Sequence, residues 1–355
     1  MSILRFIVGI VTGAFAVLLT IPVLLLSLPF WFVSMLMVLI NRLWALNKPV
    51  PKEWSEIIQY EPVIGWKPKP DLETYALVLN SDKIFRLTTD SEGWRGNSAL
   101  EESDVVVFGD SFAFGQGVDD DKFFADLQDN IKIKSIGAIG YNLVQEFLLM
   151  EKYATLLQSK IVVWFIYHGN DLYENLVPNM RIYRMPFIRK VESNGSWEII
   201  TQHVNSSKWQ EYKQLDYLQV LAEICTPSLL HEKSIDACEE LIKRAGNIIS
   251  QRNAKLVVVS LPDLSQMTDD RNGKLRSLSP NPHKFDPYLP DRKLKQICDD
   301  LSVPFYTLKD YLTADNFIND DVHWNEEGHR KVAELLSSIY NTHSITLKNS
   351  VKEPV

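Results

Sequence analysis

Ser111 is the residue of this chain best placed to act as a nucleophile. It stands in Val105-Val-Val-Phe-Gly-Asp-Ser-Phe-Ala-Phe-Gly-Gln-Gly-Val118, where an apolar run passes straight into a polar turn. A serine hydroxyl attacks poorly until a base takes its proton, and the tetrahedral product is costly without hydrogen-bond donors for its oxyanion. A base is available in Asn319-Asp-Asp-Val-His-Trp-Asn-Glu-Glu-Gly-His329. An acid and a histidine on one short loop before a helix can orient the imidazole so that its other nitrogen faces the serine, and Asp320 or Asp321 can supply the acid to His323. His168, in Tyr167-His-Gly-Asn-Asp-Leu172, is a second candidate base, but the loop of His323 suits the role better. His323 and His329 make a poor metal pair, because positions i and i+6 fall on nearly opposite faces of a helix.

These groups need elements that bring them together. Asp104 to Phe108 carries a short β-branched run, the pattern of a strand buried on both faces of a parallel sheet. Gly109 ends it, Gly115 and Gly117 free the following turns, and Asp119, Asp120 and Asp121 predict the acidic first turn of a helix through Phe123, Phe124 and Leu127. Ile131 to Ile136 and Ile161 to Tyr167 read as the next strands. Between them Asn142 caps a helix, with Leu143, Phe147, Met150, Ala154 and Leu157 at helical spacing. The first of these strands leads into Ser135-Ile-Gly-Ala-Ile-Gly-Tyr141, where a glycine lets backbone N–H groups approach a ligand oxygen. After the second, Asn170 can aim an amide N–H at a developing oxyanion while Asp171 fastens the loop to backbone donors. Helix is then predicted over Ile235–Ser250, Asp291–Leu301 and Glu326–Ile339, and strand over Leu256–Leu261 and Phe305–Leu308. Strands alternating with helices predict βαβ units and a mostly parallel sheet.

Gly109-Asp110-Ser111-Phe112 resembles the first signature block of the SGNH hydrolases, also called GDSL esterases or lipases, and the blocks at Gly140, Asn170 and His323 follow in the order of that family. The resemblance spans roughly 104–340. It implies a three-layer α/β/α sandwich on a flavodoxin-like sheet, with Ser111 as nucleophile, His323 as base and no metal or cofactor. It also implies an oxyanion hole from the Ser111 amide, Gly140 (Gly137 the fallback) and Asn170, with Asp110 and Asp171 in support. The common family spacing, Asp-x-x-His, selects Asp320 as the acid, while the Asp-x-His-Trp of some SGNH-like polysaccharide acetyltransferases selects Asp321. Two departures stand out. Ser135 replaces a frequent Asn, and Gly169 adjoins Asn170 where the usual spelling is Gly-x-Asn-Asp.

From Phe6 to Ile40 there is no charged residue or histidine, a run longer than the ~20 residues that span a bilayer. It is too long for the apolar region of a cleaved signal peptide, so a membrane anchor over 1–48 is expected. Pro22 and Pro29 allow either a kinked crossing or a re-entrant hairpin, and Arg5, Arg42, Lys48 and Lys52 bias the orientation only slightly. A linker and β-rich lead-in (49–102) precede the catalytic region (103–345), which carries an insertion at about 176–230 and ends in a tail (346–355). Within the lead-in, Tyr60–Trp66 and Thr89–Arg95 read as structural turns with aromatic anchors. Within the insertion, Arg181–Arg189 and Trp197–Thr201 read as a hairpin beside the carboxyl ends of the strands, where open α/β sheets bind ligands. The formal charge of −8 argues against nucleic acid as partner, and three widely spaced cysteines indicate neither a disulfide framework nor a metal motif. With the family resemblance, the anchor points to the inner membrane of a bacterial cell and to an esterase for acylated glycans of the envelope. The alternatives are a polysaccharide O-acetyltransferase, a lipid or thioester hydrolase, and a non-catalytic assembly component.

Overall fold

The computed structural model describes residues 32–38, 50–78, 82–178, 183–202, 204, 217–319 and 321–350. The chain divides into two compact units, Met1–Val50 and Pro51–Val355. In the first, residues 32–38 are helical. The rest of the expected anchor lies outside the described residues, and among the described residues no helix is long and apolar enough to cross a membrane.

The second unit is built on a five-stranded parallel sheet. Its strands are β5 (Val105–Gly109), β6 (Ile133–Gly137), β7 (Ile161–Tyr167), β10 (Lys255–Leu261) and β11 (Phe305–Thr307), in the spatial order β11-β10-β7-β5-β6. Counted within this sheet, that is the 2-1-3-4-5 order of flavodoxin-like folds, whose crevice opens at the carboxyl ends of the strands. Alternation along β5 shows why its apolar run is continuous. Val106 and Phe108 enter one core with Leu241 and Leu294, whereas Val105 and Val107 enter a second core with Val332 and Leu336. Both faces are therefore covered by helices, giving three layers. The main covering helices are Leu143–Tyr153, Leu229–Ser250 and Leu289–Asp300 on the first face and Glu326–Ser350 on the second.

Four antiparallel strands precede the sheet, β1 (Ile58–Glu61) with β2 (Gly65–Pro68) and β3 (Glu73–Leu77) with β4 (Ile84–Thr88). They do more than lead in. The Trp66 indole donates to Ile139 O at 3.1 Å, the Tyr141 hydroxyl donates to Trp66 O at 2.8 Å, and the Gln145 amide donates to Ile64 O at 2.6 Å. Arg95, 1% exposed, donates to Gly115 O (2.6 Å), Phe114 O (3.1 Å), Val118 O (3.0 Å) and Asp120 Oδ1 (2.9 Å). Breaking a buried ion pair by removing one partner costs about 3–5 kcal/mol. Asp120→Asn, which leaves the buried guanidinium without its anion, should accordingly lower the urea midpoint by about that equivalent, and Arg95→Met by no less, because it also strips the Phe114, Gly115 and Val118 carbonyls of their donor.

The helix expected from Asp119 does not form. Two 3-10 turns, Asp120–Lys122 and Phe124–Asp126, stand there instead. The acids are engaged elsewhere: Asp119 Oδ1 accepts the Arg86 N–H at 2.6 Å, and Asp120 Oδ1 accepts the Thr88 N–H at 3.1 Å as well as Arg95. They bond N–H groups along β4 rather than begin an α-helix. Several boundaries differ as well, most by one or two residues and two by more. The helix read from Ile235 begins at Leu229, where the Ser228 hydroxyl caps the His231 N–H, and the last helix continues through Ser350 into the expected tail. The hairpin of the insertion forms as β8 (Phe187–Lys190) and β9 (Trp197–Ile200).

Candidate active site

Ser111 opens a one-turn helix, Ser111–Phe114, at the carboxyl end of β5. Asp110 caps that turn, its Oδ1 accepting the Phe112 N–H at 3.0 Å. Gly115, at φ +72°, closes it, and a Cβ there would strike the Phe123 ring.

His323 brings its Nε2 to 2.7 Å from Ser111 Oγ. Its Nδ1 lies 2.5 Å from Asp321 Oδ1, and the same carboxylate oxygen accepts the His323 backbone N–H at 2.8 Å. That two-residue loop makes Asp321 the acid on the imidazole. Asp320, the acid that the commoner family spacing selects, lies outside the described residues. Burial pushes the Asp321 carboxyl up, but the hydrogen bonds and charge of His323 outweigh it and hold the group below the ordinary carboxylate range. An ionised carboxylate only accepts, so Nδ1 carries a proton, and in the neutral imidazole Nε2 then presents its lone pair to the serine. The Phe112 ring steadies the imidazole at a centroid distance of 4.9 Å, and itself packs on Tyr167 and Trp324.

Gly140, at φ +75°, follows β6 in a turn closed by the Tyr141 N–H on Ala138 O. Asn170 Nδ2 donates to Tyr141 O at 2.9 Å, so the loops of Gly140 and Asn170 are tied together. Gly137 serves the sheet instead. It pairs with Gly109, and a Cβ there would lie 2.6 Å from Gly109 O and 2.9 Å from Asp110 O. Its bare backbone lets β6 approach the serine turn. Asp171 Oδ2 accepts the Tyr167 N–H at 2.7 Å. His168 is turned to other partners, Ser260 Oγ at 2.8 Å and Gln266 Oε1 at 3.1 Å, and burial lowers its pKa. His329 accepts the Phe124 N–H and stacks on that ring.

Glu146 belongs to this region although no sequence motif marks it. It is fully buried, accepts the Trp164 indole N–H at 2.5 Å, and has an Oε1 without a partner. Burial, and then the charge of Asp110, raise its pKa well above the ordinary value. A signal was legible, since position 146 falls on the apolar stripe of Leu143 and Met150. A carboxyl whose pKa is raised in the folded state binds its proton more tightly there than in the unfolded chain. Stability is then fullest below the unfolded carboxyl pKa and falls as pH rises toward the folded one. Glu146→Gln should therefore raise Tm at pH 8 relative to wild type, with the gain disappearing near pH 4; equal gains at both pH values would contradict a neutral buried acid.

No family model matches the chain, and no curated protein matches it. Among solved structures it is similar to a member of the lipolytic protein G-D-S-L family from Veillonella parvula, at 12% identity over 67% of this chain and 97% of that one, with a TM-score of 0.37. It is also similar to an acetyl xylan esterase (15% identity, 66% and 98% coverage, TM-score 0.37) and to an inhibitor-bound aryl esterase from M. smegmatis (10% identity, 67% and 98% coverage, TM-score 0.39).

Proposed function

We propose that the chain is a serine esterase of the SGNH class, and that it removes small acyl groups from glycans of the bacterial cell envelope while anchored in the inner membrane by its apolar segment. The observation that carries this reading is the relay Ser111–His323–Asp321, at 2.7 and 2.5 Å. Ser111 Oγ attacks the ester carbonyl as its proton passes to His323 Nε2. The Ser111 amide, Gly140 and Asn170 take the oxyanion, and Asp321 stabilises the imidazolium. Collapse of the tetrahedral intermediate expels the alcohol, which leaves with the proton from Nε2, and an acyl-serine remains. Water, deprotonated by His323, then releases the carboxylic acid and restores the serine.

The Asp-x-His-Trp spacing defined by Asp321 favours a second reading, transfer of the acyl group to a sugar hydroxyl. The chemistry differs only in the acceptor that meets the acyl-serine. Incubating the full-length chain in mild detergent with an acetylated polysaccharide distinguishes the two. Free acetate supports hydrolysis, acetyl moved to an added unacetylated glycan supports transfer, and neither product at wild-type Ser111 would defeat both.

A further inference from the structure

The inserted segment delivers one side chain to the loop of Asn170. Its helix, Tyr217–Ile224, starts with a phenol that reaches the carboxyl ends of β7 and β10. There the Tyr217 and Tyr167 hydroxyls, 2.5 Å apart, meet on Asp263, whose Oδ2 accepts from both. Asp263 is fixed in turn: its Oδ1 accepts the Ser265 N–H at 2.6 Å, and its own N–H donates to Gln266 Oε1 at 2.6 Å. Gly169 lies against this cluster. A Cβ at 169 would run into the Tyr217 hydroxyl and would stand 2.5 Å from Tyr167 Cε1. The missing side chain, where Gly169 departs from the usual family spacing, is the space the phenol fills. Burial and then the charge of Asp263 raise the pKa of both phenols, so they stay protonated and donating.

We propose that Tyr217 is a positioning residue for Asn170: pinned to Asp263 and packed on Gly169, it holds the next residue's amide where the oxyanion forms. This rests on the esterase reading above. The inserted segment then controls the chemical step through one phenol, although the segment makes no part of the Ser111–His323–Asp321 relay.

An oxyanion contact strengthens only in the transition state, so its loss appears in kcat and leaves KM nearly unchanged. One oxyanion donor is worth about 10²–10³ in kcat, which bounds what Tyr217 can contribute through Asn170. The test is a double-mutant cycle in the full-length chain, with an activated acetyl ester as substrate. Tyr217→Phe, which keeps the ring on Gly169 and removes only the hydroxyl, should lower kcat about tenfold, and Tyr217→Ala further, both with KM within about twofold. In an Asn170→Ala background the same changes should have almost no additional effect. Equal losses in both backgrounds, a loss carried by KM, or unchanged kcat in Tyr217→Ala would overturn the proposal while leaving the esterase reading intact. Absence of any Ser111-dependent turnover in the parent would overturn the esterase reading, and this inference with it.

Discussion

Ser111→Ala is expected to lower kcat for an activated acetyl ester by about 10⁶-fold, and His323→Ala by a similar factor. The two losses should not multiply. With Nε2 at 2.7 Å from Oγ, the base has no proton to take without the nucleophile, and the nucleophile keeps its proton without the base. The double variant should therefore match either single one, retaining only what binding and the oxyanion donors contribute over water. Steady-state rates of the three variants in preparations of matched folded concentration check this. Losses that multiply would mean that Ser111 and His323 act separately.

The second large effect separates two adjacent acids. Asp321→Asn should lower kcat by about 10⁴-fold, because an amide can hold the imidazole in the wrong tautomer and no longer balances the imidazolium. Asp320→Asn should leave kcat near wild type. The reason lies in one carboxylate oxygen, Asp321 Oδ1, which accepts both Nδ1–H and the backbone N–H of His323. The pH dependence carries the matching sign. Asp321 is held below its ordinary range, so its ionised form stabilises the fold above the unfolded carboxylate pKa, and that contribution is lost as pH falls through the folded value. Asp321→Asn should flatten this acid limb of the Tm profile.

The strands were legible in the sequence because a sheet covered on both faces demands unbroken β-branched runs, as Val105–Phe108 and Ile161–Tyr167 provide. The capping box at Asn142 and Gln145 was legible because both partners are local. What failed to show were long-range obligations. Asp119 and Asp120 have the composition of a helix start, yet β4, some thirty residues earlier in the chain, takes their carboxylates. Arg95 reads only as the last residue of a turn with an aromatic anchor, and only the folded chain shows three carbonyls of the Phe114–Val118 loop converging on it. At the site, the types and order of Ser111, Gly140, Asn170 and His323 could be read, but spacing alone left two acids open and the geometry brings Asp321 to His323. Tyr217 carried no motif at all. Its place is set by Gly169 and Asp263, each distant in sequence.

Activation of Ser111 as a nucleophile underlies every step proposed for this chain, and covalent capture tests it most directly. Treatment of the full-length chain with a serine-directed phosphonate, followed by peptide mass mapping, should place one adduct on Ser111. In His323→Ala labelling should be slowed by orders of magnitude. An unlabelled Ser111 in the folded wild-type protein, or an adduct that forms equally fast without His323, would contradict the assignment.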